Sequence, residues 1–467
     1  MISLVLSTLL AVAGPIADST AVSSAAASYD GNALILKGQV ILDHGLGKMK
    51  AEEAILERQE IGKEFPFSFI HLRKDVLLSL SHDATLSCDS ADLDFVSLKG
   101  HITGDKRLCY TDSIKRKKGG RTLFCLTSKR ADLDLSKQEL DEQKPHYDVA
   151  SILAQDAVEF AYDQKYTLHA DTALYRKMQN HVSARRHAEG ALCKCIYDNN
   201  QIEAEKMDAD LAISELSMVR PQGTLNSLLN HLLPGKALFS SDTLLWNHLN
   251  NTLHLKGHVH LQDPSLGEVL SEDEIQIVQT DKQLSSIKTH GKTTVNYLNA
   301  HKLTCFGTID INQKKLQAAI LSPVIDGVTP QHLQLSYQEE QVTVFGDVGN
   351  IEYTVINNTF QPISISLKGN VYLFSHDAAK SRAYGVTDRL TYSPTTRTFI
   401  LSADPGKKVI FINEEENLRL SAHEVHITED PSTKKQSVKG IGSVQLTLSS
   451  EEEALMQKIL KLSKNIP

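Results

Sequence analysis

The sequence has few aromatic residues, no excess of positive charge and no long apolar run beyond its N-terminus. Aromatic residues make up 6% of the 467 residues, and 49 Lys and Arg are outnumbered by 57 Asp and Glu, which gives a formal charge of −8. A general nucleic-acid-binding protein needs a basic surface to contact phosphates, so the composition argues against this class. Beyond residue 14, no segment reaches the length and apolarity of a transmembrane helix.

The sequence also lacks residues at the spacing of a known catalytic or metal site. His423-Glu424-Val425-His426 has one intervening residue too few for a zinc-protease signature, and Gly440-Ile441-Gly442 lacks the third glycine of a nucleotide-binding loop. His254, His258 and His260 share the polar face of a predicted strand, but no acidic residue or cysteine at comparable spacing completes a metal site. We therefore predict no enzymatic activity, no catalytic residues, no cofactor and no metal.

An apolar stretch of signal-peptide length does occur at the N-terminus, from Ile2 to Gly14, and ends in the small-x-small pattern Ala11-Val12-Ala13. The small, polar tract Ser19–Ser28 that follows is typical of an unstructured spacer. We therefore assign residues 1–27 to a signal peptide and spacer, and we predict export. After export the six cysteines can form disulfides, although their pairing cannot be derived from sequence.

One short pattern centred on Lys-Gly recurs along the chain. It occupies residues 34–42, 96–104, 253–261, 365–373 and, in a degenerate form, 438–446. Because side chains alternate between the two faces of a strand, the pattern places aliphatic residues and the glycine on one apolar face and the lysine on the other. A glycine inside a strand costs stability, so its recurrence predicts close approach by another backbone, a bend or a ligand.

A second type of strand-like run, with small and acidic residues, follows several of these units. Examples are residues 50–56, 168–175, 239–246 and 270–277. The regular recurrence of their acidic residues favours a structural role over a catalytic pair of carboxylates. Short strands at this spacing, with little helical periodicity between them, predict an all-β array of hairpins: an antiparallel sandwich, a jelly roll or a β-solenoid.

Proline and glycine mark a boundary near the middle of the chain. Pro221-Gln222-Gly223 and Pro234-Gly235 bracket an apolar run that fits a short helix. We therefore predict a linker at 221–238 between two related β modules, at 28–220 and 239–448. The C-terminal segment 449–467 opens with serine and three glutamates and predicts an amphipathic helix that caps the last sheet or contacts a partner.

Residues 29–42 (YDGNALILKGQVIL) and 49–54 (MKAEEA) together resemble the OstA-like family. This family comprises periplasmic lipopolysaccharide-transport bridge proteins and the periplasmic domain of the outer-membrane lipopolysaccharide translocon. The two strand types recur across most of 29–448, although 105–165 and 180–235 fit poorly. The resemblance implies an elongated, twisted, open and solenoid-like antiparallel β-jelly-roll whose interior holds acyl chains. It also implies head-to-tail strand pairing with partner proteins.

The residues that we expect to line this groove are the aliphatic residues and glycines of three Lys-Gly units: Leu36, Gly38, Val40, Leu255, Gly257, Val259, Leu367, Gly369 and Val371. The alternative is that the aliphatic side chains only pack a closed core, as alternating apolar residues often do. A dense basic run at a predicted hairpin tip supplies Arg116, Lys117, Lys118 and Arg121 as candidate contacts for lipid A phosphates or other anionic groups. Most such runs are only solvated turns.

The resemblance and the predicted export together imply a non-enzymatic protein of the periplasm, free or associated with the inner or outer membrane. Such a protein would carry lipopolysaccharide to the outer membrane by enclosing the lipid A acyl chains. Its partners would be an inner-membrane exporter, outer-membrane translocon components and further copies of itself, with no nucleic acid. The alternative is a structural envelope-assembly scaffold that acts through edge-strand pairing and binds no lipid.

Overall fold

The computed structural model describes residues 21–58, 67–80, 84–115, 120–138, 146–187, 190–197, 200–226, 236–264, 267–280, 283–297, 301–322, 335–339, 342–356, 359–376, 382–430, 432–433 and 435–463. In these ranges the chain forms antiparallel strands and one C-terminal helix, which confirms the predicted all-β fold with a short terminal helix. The chain divides into two compact units, Met1–Met218 and Val219–Pro467. In the ranges that the structure describes, no helix is long and apolar enough to cross a membrane.

The first unit is built from strands of very different lengths. In chain order they are β1 (Ala21–Ser23), β2 (Ala26–Tyr29), β3 (Ala33–His44), β4 (Gly47–Glu57), β5 (Phe69–Ser79), β6 (Thr85–Asp94), β7 (Lys99–Lys115), β8 (Arg121–Gln138), β9 (His146–Tyr162), β10 (Tyr166–Arg176), β11 (His181–Arg185), β12 (Cys193–Tyr197), β13 (Asn200–Ala204), β14 (Lys206–Asp210) and β15 (Glu215–Val219). Strands β3 to β10 pair in sequence order as an antiparallel meander.

The second unit consists mainly of short strands and ends in the helix. In chain order its strands are β16 (Gln222–Asn226), β17 (Lys236–Ser240), β18 (Thr243–Asn247), β19 (Thr252–Lys256), β20 (Val259–Asp263), β21 (Gly267–Ser271), β22 (Glu274–Thr280), β23 (Gln283–His290), β24 (Thr293–Tyr297), β25 (His301–Cys305), β26 (Thr308–Asn312), β27 (Gln317–Leu321), β28 (Leu335–Glu339), β29 (Val342–Phe345), β30 (Val348–Ile356), β31 (Thr359–His376), β32 (Arg382–Ser393), β33 (Thr398–Ser402), β34 (Val409–Asn413), β35 (Leu418–Ala422), β36 (Glu424–Glu429) and β37 (Gln436–Ile441). Helix α1 spans Ser450–Ser463.

The strands of the second unit pair in two separate stacks. In column A the order is β18, β19, β22, β23, β26, β27, β30 and the first half of β31. In column B it is β16, β17, β20, β21, β24, β25, β28, β29 and the second half of β31. The chain thus leaves one column and enters the other again and again, which is the connectivity of a jelly roll with two facing sheets.

Glycine and aspartate alternate at the points where the chain crosses between the columns. Gly257 lies between β19 and β20, and Gly369 lies inside β31, so both mark crossings from column A to column B. Asp242, Asp273 and Asp347 mark crossings in the opposite direction. The two strand types recognised in the sequence are therefore the two kinds of crossing, and they stack alternately along the unit.

Each glycine crossing is a bend with a left-handed backbone. Gly257 and His258 have φ of 71° and 44°, and Gly369 and Asn370 have φ of 78° and 43°. The amide of Asp347 donates to the Gly369 carbonyl at 3.1 Å, and a Cβ on Gly369 would lie 2.6 Å from the Asp347 carboxylate. Glycine is therefore required both by its φ and by the neighbouring aspartate. The bend, one of the three predicted causes of its recurrence, is present, and a role of the glycine toward a ligand remains a prediction.

Bends of the same form occur in the first unit, at Gly38 and Gln39 and, without glycine, at Lys74 with Asp75 and at Asp156 with Ala157. Gly38 and Gln39 have φ of 75° and 47°, and the pairing of β3 with β4 shifts between Lys37 and Val40. Gly38 and Gln39 of β3 there oppose the single residue Glu52 of β4, so the bend is a β-bulge with one extra residue. The shift in β31 between Lys368 and Val371 has the same form.

The other two copies of the Lys-Gly pattern, at Gly100 and Gly440, do not form this bend. Gly100 and Gly440 both lack a positive φ, and near the second of them the bend falls instead at Gly442 and Ser443, with φ of 74° and 45°. A bulge is specified by backbone conformation and not by the preceding lysine, so the dipeptide alone does not locate it.

The structure also describes parts of the predicted N-terminal spacer and of the predicted linker. Within the predicted spacer, Ala21–Ser23 and the segment Ala26–Tyr29 pair with β3, so this part is not unstructured; backbone pairing does not require large side chains. The predicted linker 221–238 contains β16 and the start of β17, while 227–235, where a short helix was predicted, lies outside the described residues. The signal peptide within 1–20 also lies outside them, and the module boundaries remain predictions.

The C-terminal helix begins with the predicted capping box and covers one end of the second unit. Ser449 Oγ accepts from the Glu452 amide at 3.3 Å, and the Glu452 carboxylate accepts from the Ser449 amide at 2.7 Å. Met456 is 2% exposed and packs in a cluster that includes Phe345 and Phe374. The helix therefore caps the sheet.

The bend geometry predicts a large cost for replacing Gly257. An alanine there must adopt a left-handed φ and also displace the Asp242 carboxylate, so Gly257→Ala should lower the free energy of unfolding by about 2–5 kcal/mol. Gly406 is the matched control, because it has φ of 85° but no atom within 4 Å of an added Cβ. Gly406→Ala should cost only about 1–2 kcal/mol. Urea unfolding, followed by the fluorescence of Trp246, the single tryptophan, would give the free energy of unfolding of both variants. Equal decreases in the two variants would contradict the role of Asp242.

A half-buried histidine at the end of β3, packed against two aromatic rings, makes the first unit sensitive to pH. The His44 ring lies 4.2 Å from the Phe95 ring and 5.4 Å from the Tyr147 ring, centroid to centroid, and its Nδ1 accepts from the Leu46 amide at 3.2 Å. Burial among these groups lowers the pKa of His44 from 6.5 to about 4.

Between those pH values the unfolded chain binds a proton at His44 that the folded chain does not bind. Stability of the first unit should therefore fall as the pH is lowered from 6.5 toward 4, by at most about 1.4 kcal/mol per pH unit from this residue. His44→Phe should reduce that slope. The pH dependence of the stability can be measured by amide hydrogen exchange of β3, corrected for the intrinsic exchange rate. Identical slopes in the unsubstituted protein and in His44→Phe would refute the role of His44.

Candidate apolar binding site

The six aliphatic residues predicted to line a groove are all buried. Exposure is 1% for Leu36 and Val40 in β3, and between 0% and 3% for the other four, which are Leu255, Val259, Leu367 and Val371. This confirms the predicted apolar face, and Lys37, Lys256 and Lys368 are exposed on the other side as expected. The aliphatic residues pack against protein atoms, as the closed-core alternative expects, and their contact with lipid remains a prediction.

Unfilled space occurs elsewhere, between the two columns of the second unit. A cavity of about 120 Å³ lies there, and its lining is almost entirely apolar. Column B contributes Val295, Tyr297, His301 and Leu303, while column A contributes Ile309, Ile311, Ala318, Ile351, Tyr353, Pro362 and Ile365. The cavity is thus formed because both sheets turn their aliphatic faces toward each other without filling the gap.

The cavity has a closed end and a more accessible end. Ile309 and Ile365 are 2% and 1% exposed and belong to the main core cluster, together with the predicted groove residues Leu367 and Val371. Val295, Ile311 and Ile351 are only partly buried. The cavity therefore continues the core cluster outward to a part of the sandwich where packing is looser.

Two tyrosines line the cavity together with His301, and their hydroxyls differ in hydrogen bonding. The Tyr353 hydroxyl donates to Gln313 Oε1 at 3.1 Å. The Tyr297 hydroxyl is buried and has no hydrogen-bond partner among the described residues. Burial raises the pKa of both hydroxyls to about 12, so both are protonated donors at neutral pH. A buried hydroxyl without a partner costs about 1–3 kcal/mol, which a ligand oxygen could recover.

The histidines considered for a metal site each bind a separate carboxylate. His254 contacts Glu274 at 2.7 Å, and His260 contacts Glu268 at 2.9 Å. His258 contacts Asp242 at 2.8 Å, and this hydrogen bond raises the pKa of His258. Within the described ranges no three His, Cys, Asp or Glu residues are grouped as metal ligands.

Of the basic run predicted to contact phosphates, only one end is described. Arg121 begins β8, is exposed and lies opposite Lys115 at the end of β7, as expected for strands joined by a hairpin. Arg116, Lys117 and Lys118 lie outside the described residues. An anionic contact at this tip remains a prediction.

No protein-family model matches the sequence, and no curated protein is detectably similar to it. Among solved structures, the chain is similar to the crystal structure of LptH, the LptA-homologous periplasmic component of the conserved lipopolysaccharide transport device from Pseudomonas aeruginosa. The match has 9% sequence identity and a TM-score of 0.24, and covers 32% of this chain and 94% of that chain. At this TM-score the likeness does not establish a shared fold.

The contrast between the two tyrosines yields a paired prediction. Tyr297→Phe removes a buried hydroxyl that lacks a partner, so it should leave the ligand-free protein equally stable or stabilise it by about 1 kcal/mol. Tyr353→Phe removes the bond to Gln313 and should destabilise it by about 1 kcal/mol. Urea unfolding of lipid-free protein would compare the two. A larger loss for Tyr297→Phe would show that its hydroxyl is bonded in solution.

Proposed function

We propose that the protein binds acyl chains of lipopolysaccharide in the interior of its β-sandwich and carries or bridges this lipid across the periplasm without covalent chemistry. The observation that carries the proposal is the apolar cavity between columns A and B. A protein interior is normally close-packed, so an unfilled apolar space with partly buried walls favours an apolar ligand.

The size of the cavity limits what it accepts in this conformation. An aliphatic-lined cavity of roughly 150 Å³ stays dry and holds a molecule as small as benzene, so 120 Å³ suits the end of one acyl chain. Each buried methylene contributes about 0.8 kcal/mol. Longer chains would reach Leu367 and Val371, which belong to the same core cluster as the cavity residues, only if the two columns separate further.

The nearly complete lack of polar surface in the cavity wall favours a plain hydrocarbon chain over a polar ligand. Lipopolysaccharide is favoured among lipids with such chains by the sequence resemblance of residues 29–54 and by the predicted export.

Edge-strand pairing is the route we propose to partner proteins. In the described part of the chain β37 pairs with β36 alone, and near it Ile441, Val444 and Leu446 are 38%, 47% and 67% exposed. An unpaired edge can be extended by a strand of another chain. Its occupant would be an exporter or translocon component, or a further copy in head-to-tail order.

Filling the cavity tests lipid binding with a closely matched control. Ala318 and Ala319 are neighbours on β27, but Ala318 is 7% exposed and lines the cavity whereas Ala319 is exposed on the other face. Ala318→Phe should reduce the affinity for lipopolysaccharide at least tenfold, because the ring occupies the space of the acyl chain. Ala319→Phe should leave it unchanged. Equilibrium binding of purified lipopolysaccharide, with a free fatty acid as second probe, measures the effect.

The result distinguishes transport from scaffolding. If neither variant changes binding, the lipid lies elsewhere and the cavity proposal fails. If the unsubstituted protein binds no lipid and is purified without any, while still pairing end to end, the structural envelope-assembly scaffold is supported. A thermal unfolding curve of Ala318→Phe must show a folded protein, and Ile351→Phe provides a second filling variant if it does not.

A further inference from the structure

Cys109 and Cys125 face each other on the hairpin of β7 and β8. In the register of this pair Cys109 lies opposite Thr127 and Cys125 lies opposite Thr111, so the cysteines are diagonal neighbours on one face. Their Sγ atoms are 2.9 Å apart. Both residues are partly exposed, whereas Tyr110 and Leu126 beside them in sequence are fully buried, which places the sulfurs on the outer face.

We infer that Cys109 and Cys125 are a disulfide-forming pair that closes the β7–β8 hairpin when the protein meets an oxidising compartment. A disulfide requires sulfurs about 2.05 Å apart, so the pair must approach by roughly 1 Å, within the range of small side-chain rotations. The inference does not depend on lipid binding.

The oxidant is a second disulfide, either that of a thiol–disulfide oxidoreductase or that of oxidised glutathione. The Cys109 thiolate attacks one sulfur of that disulfide and releases the other as a thiolate, giving a mixed disulfide. Cys125, once deprotonated, then attacks Cys109 Sγ and releases the second thiolate. In total two protein thiols lose two protons and two electrons, and one external disulfide is reduced to two thiols.

The surroundings select Cys109 as the first nucleophile. The hydrogen bond with Cys125 lowers the pKa of Cys109 to about 7, aided by Arg107, whereas the same contact raises the pKa of Cys125. A thiol with a pKa near the ambient pH is the most effective attacking group.

The other cysteines are much less reactive. Burial raises the pKa of Cys88 and Cys195 to about 12 and that of Cys193 to about 11. Cys305 is also buried, and its sulfur lies 3.4 Å from the Ser322 hydroxyl. Oxidation of the folded chain should therefore be confined to the exposed pair.

The Cys109–Cys125 disulfide would stabilise the β7–β8 hairpin, whose tip carries the basic run. Strands β7 and β8 span Lys99–Lys115 and Arg121–Gln138, and their pairing shifts between Thr103 and Leu108, close to the cysteines. A bulge weakens the ladder locally, and a cross-strand bond just beyond it would prevent the register from slipping.

Thiol counting with peptide mapping tests the inference on the full chain. Reduced, folded protein is incubated with excess oxidised glutathione, quenched in acid and alkylated in denaturant. We expect alkylation of four of the six cysteines, compared with all six in a sample that is never oxidised. After trypsin, peptides 108–115 and 122–129 should appear as one linked species whose mass is two hydrogens below their sum.

The variants and the unfolded chain provide the controls. Cys109→Ser and Cys125→Ser should each abolish the linked species and leave the other four cysteines alkylated. Oxidation in denaturant should give a mixture of links instead of one. Six alkylated cysteines after oxidation, a stable glutathione adduct without the internal bond, or a dominant link to Cys88 would overturn the inference.

Discussion

The structure depends on how the chain crosses between facing sheets. At one kind of crossing, Gly257 or Gly369 bends the strand with a left-handed backbone; at the other, an aspartate places its amide on the carbonyl of that bend and its carboxylate over the glycine. A side chain in place of Gly257 or Gly369 would collide with the aspartate beside it. The bulge also inserts one extra residue into the bending strand, so its register with the neighbouring strand shifts by one at the bend.

The interior follows from this arrangement. Because the strands of both columns present aliphatic residues inward, two apolar faces lie opposite each other. Where large residues such as Tyr392 and Phe411 join the cluster, the gap is filled. Around Val295, Ala318 and Ile351 it is not, and a cavity remains. A binding site for apolar chains thus needs no feature beyond smaller or fewer side chains at a few interior positions.

The outer faces carry the polar chemistry. Histidines and lysines there are matched to carboxylates on neighbouring strands, as in the pairs of His254 with Glu274 and Lys74 with Glu53. Exposed pairs of this type contribute little stability each, but they satisfy the polar groups of the outer faces. The diagonal pair of Cys109 and Cys125 belongs to this same outer face, which is why it is accessible while the remaining cysteines are enclosed.

The sequence by itself determined the all-β class, the apolar face and the terminal helix, because alternation and capping are local properties. Leu36, Val40 and Leu42 are buried as their spacing requires, and Ser449 with Glu452 forms the expected cap. The tertiary structure alone decided which glycines bend, since Gly257 bends and Gly100 does not although both follow lysine. It also decided where the cavity lies and which sulfurs meet. Val295 and Ile351 are brought together by elements distant in sequence, whereas Cys109 and Cys125 meet through the register of the β7–β8 hairpin. No local pattern encodes that register or the space left between two sheets.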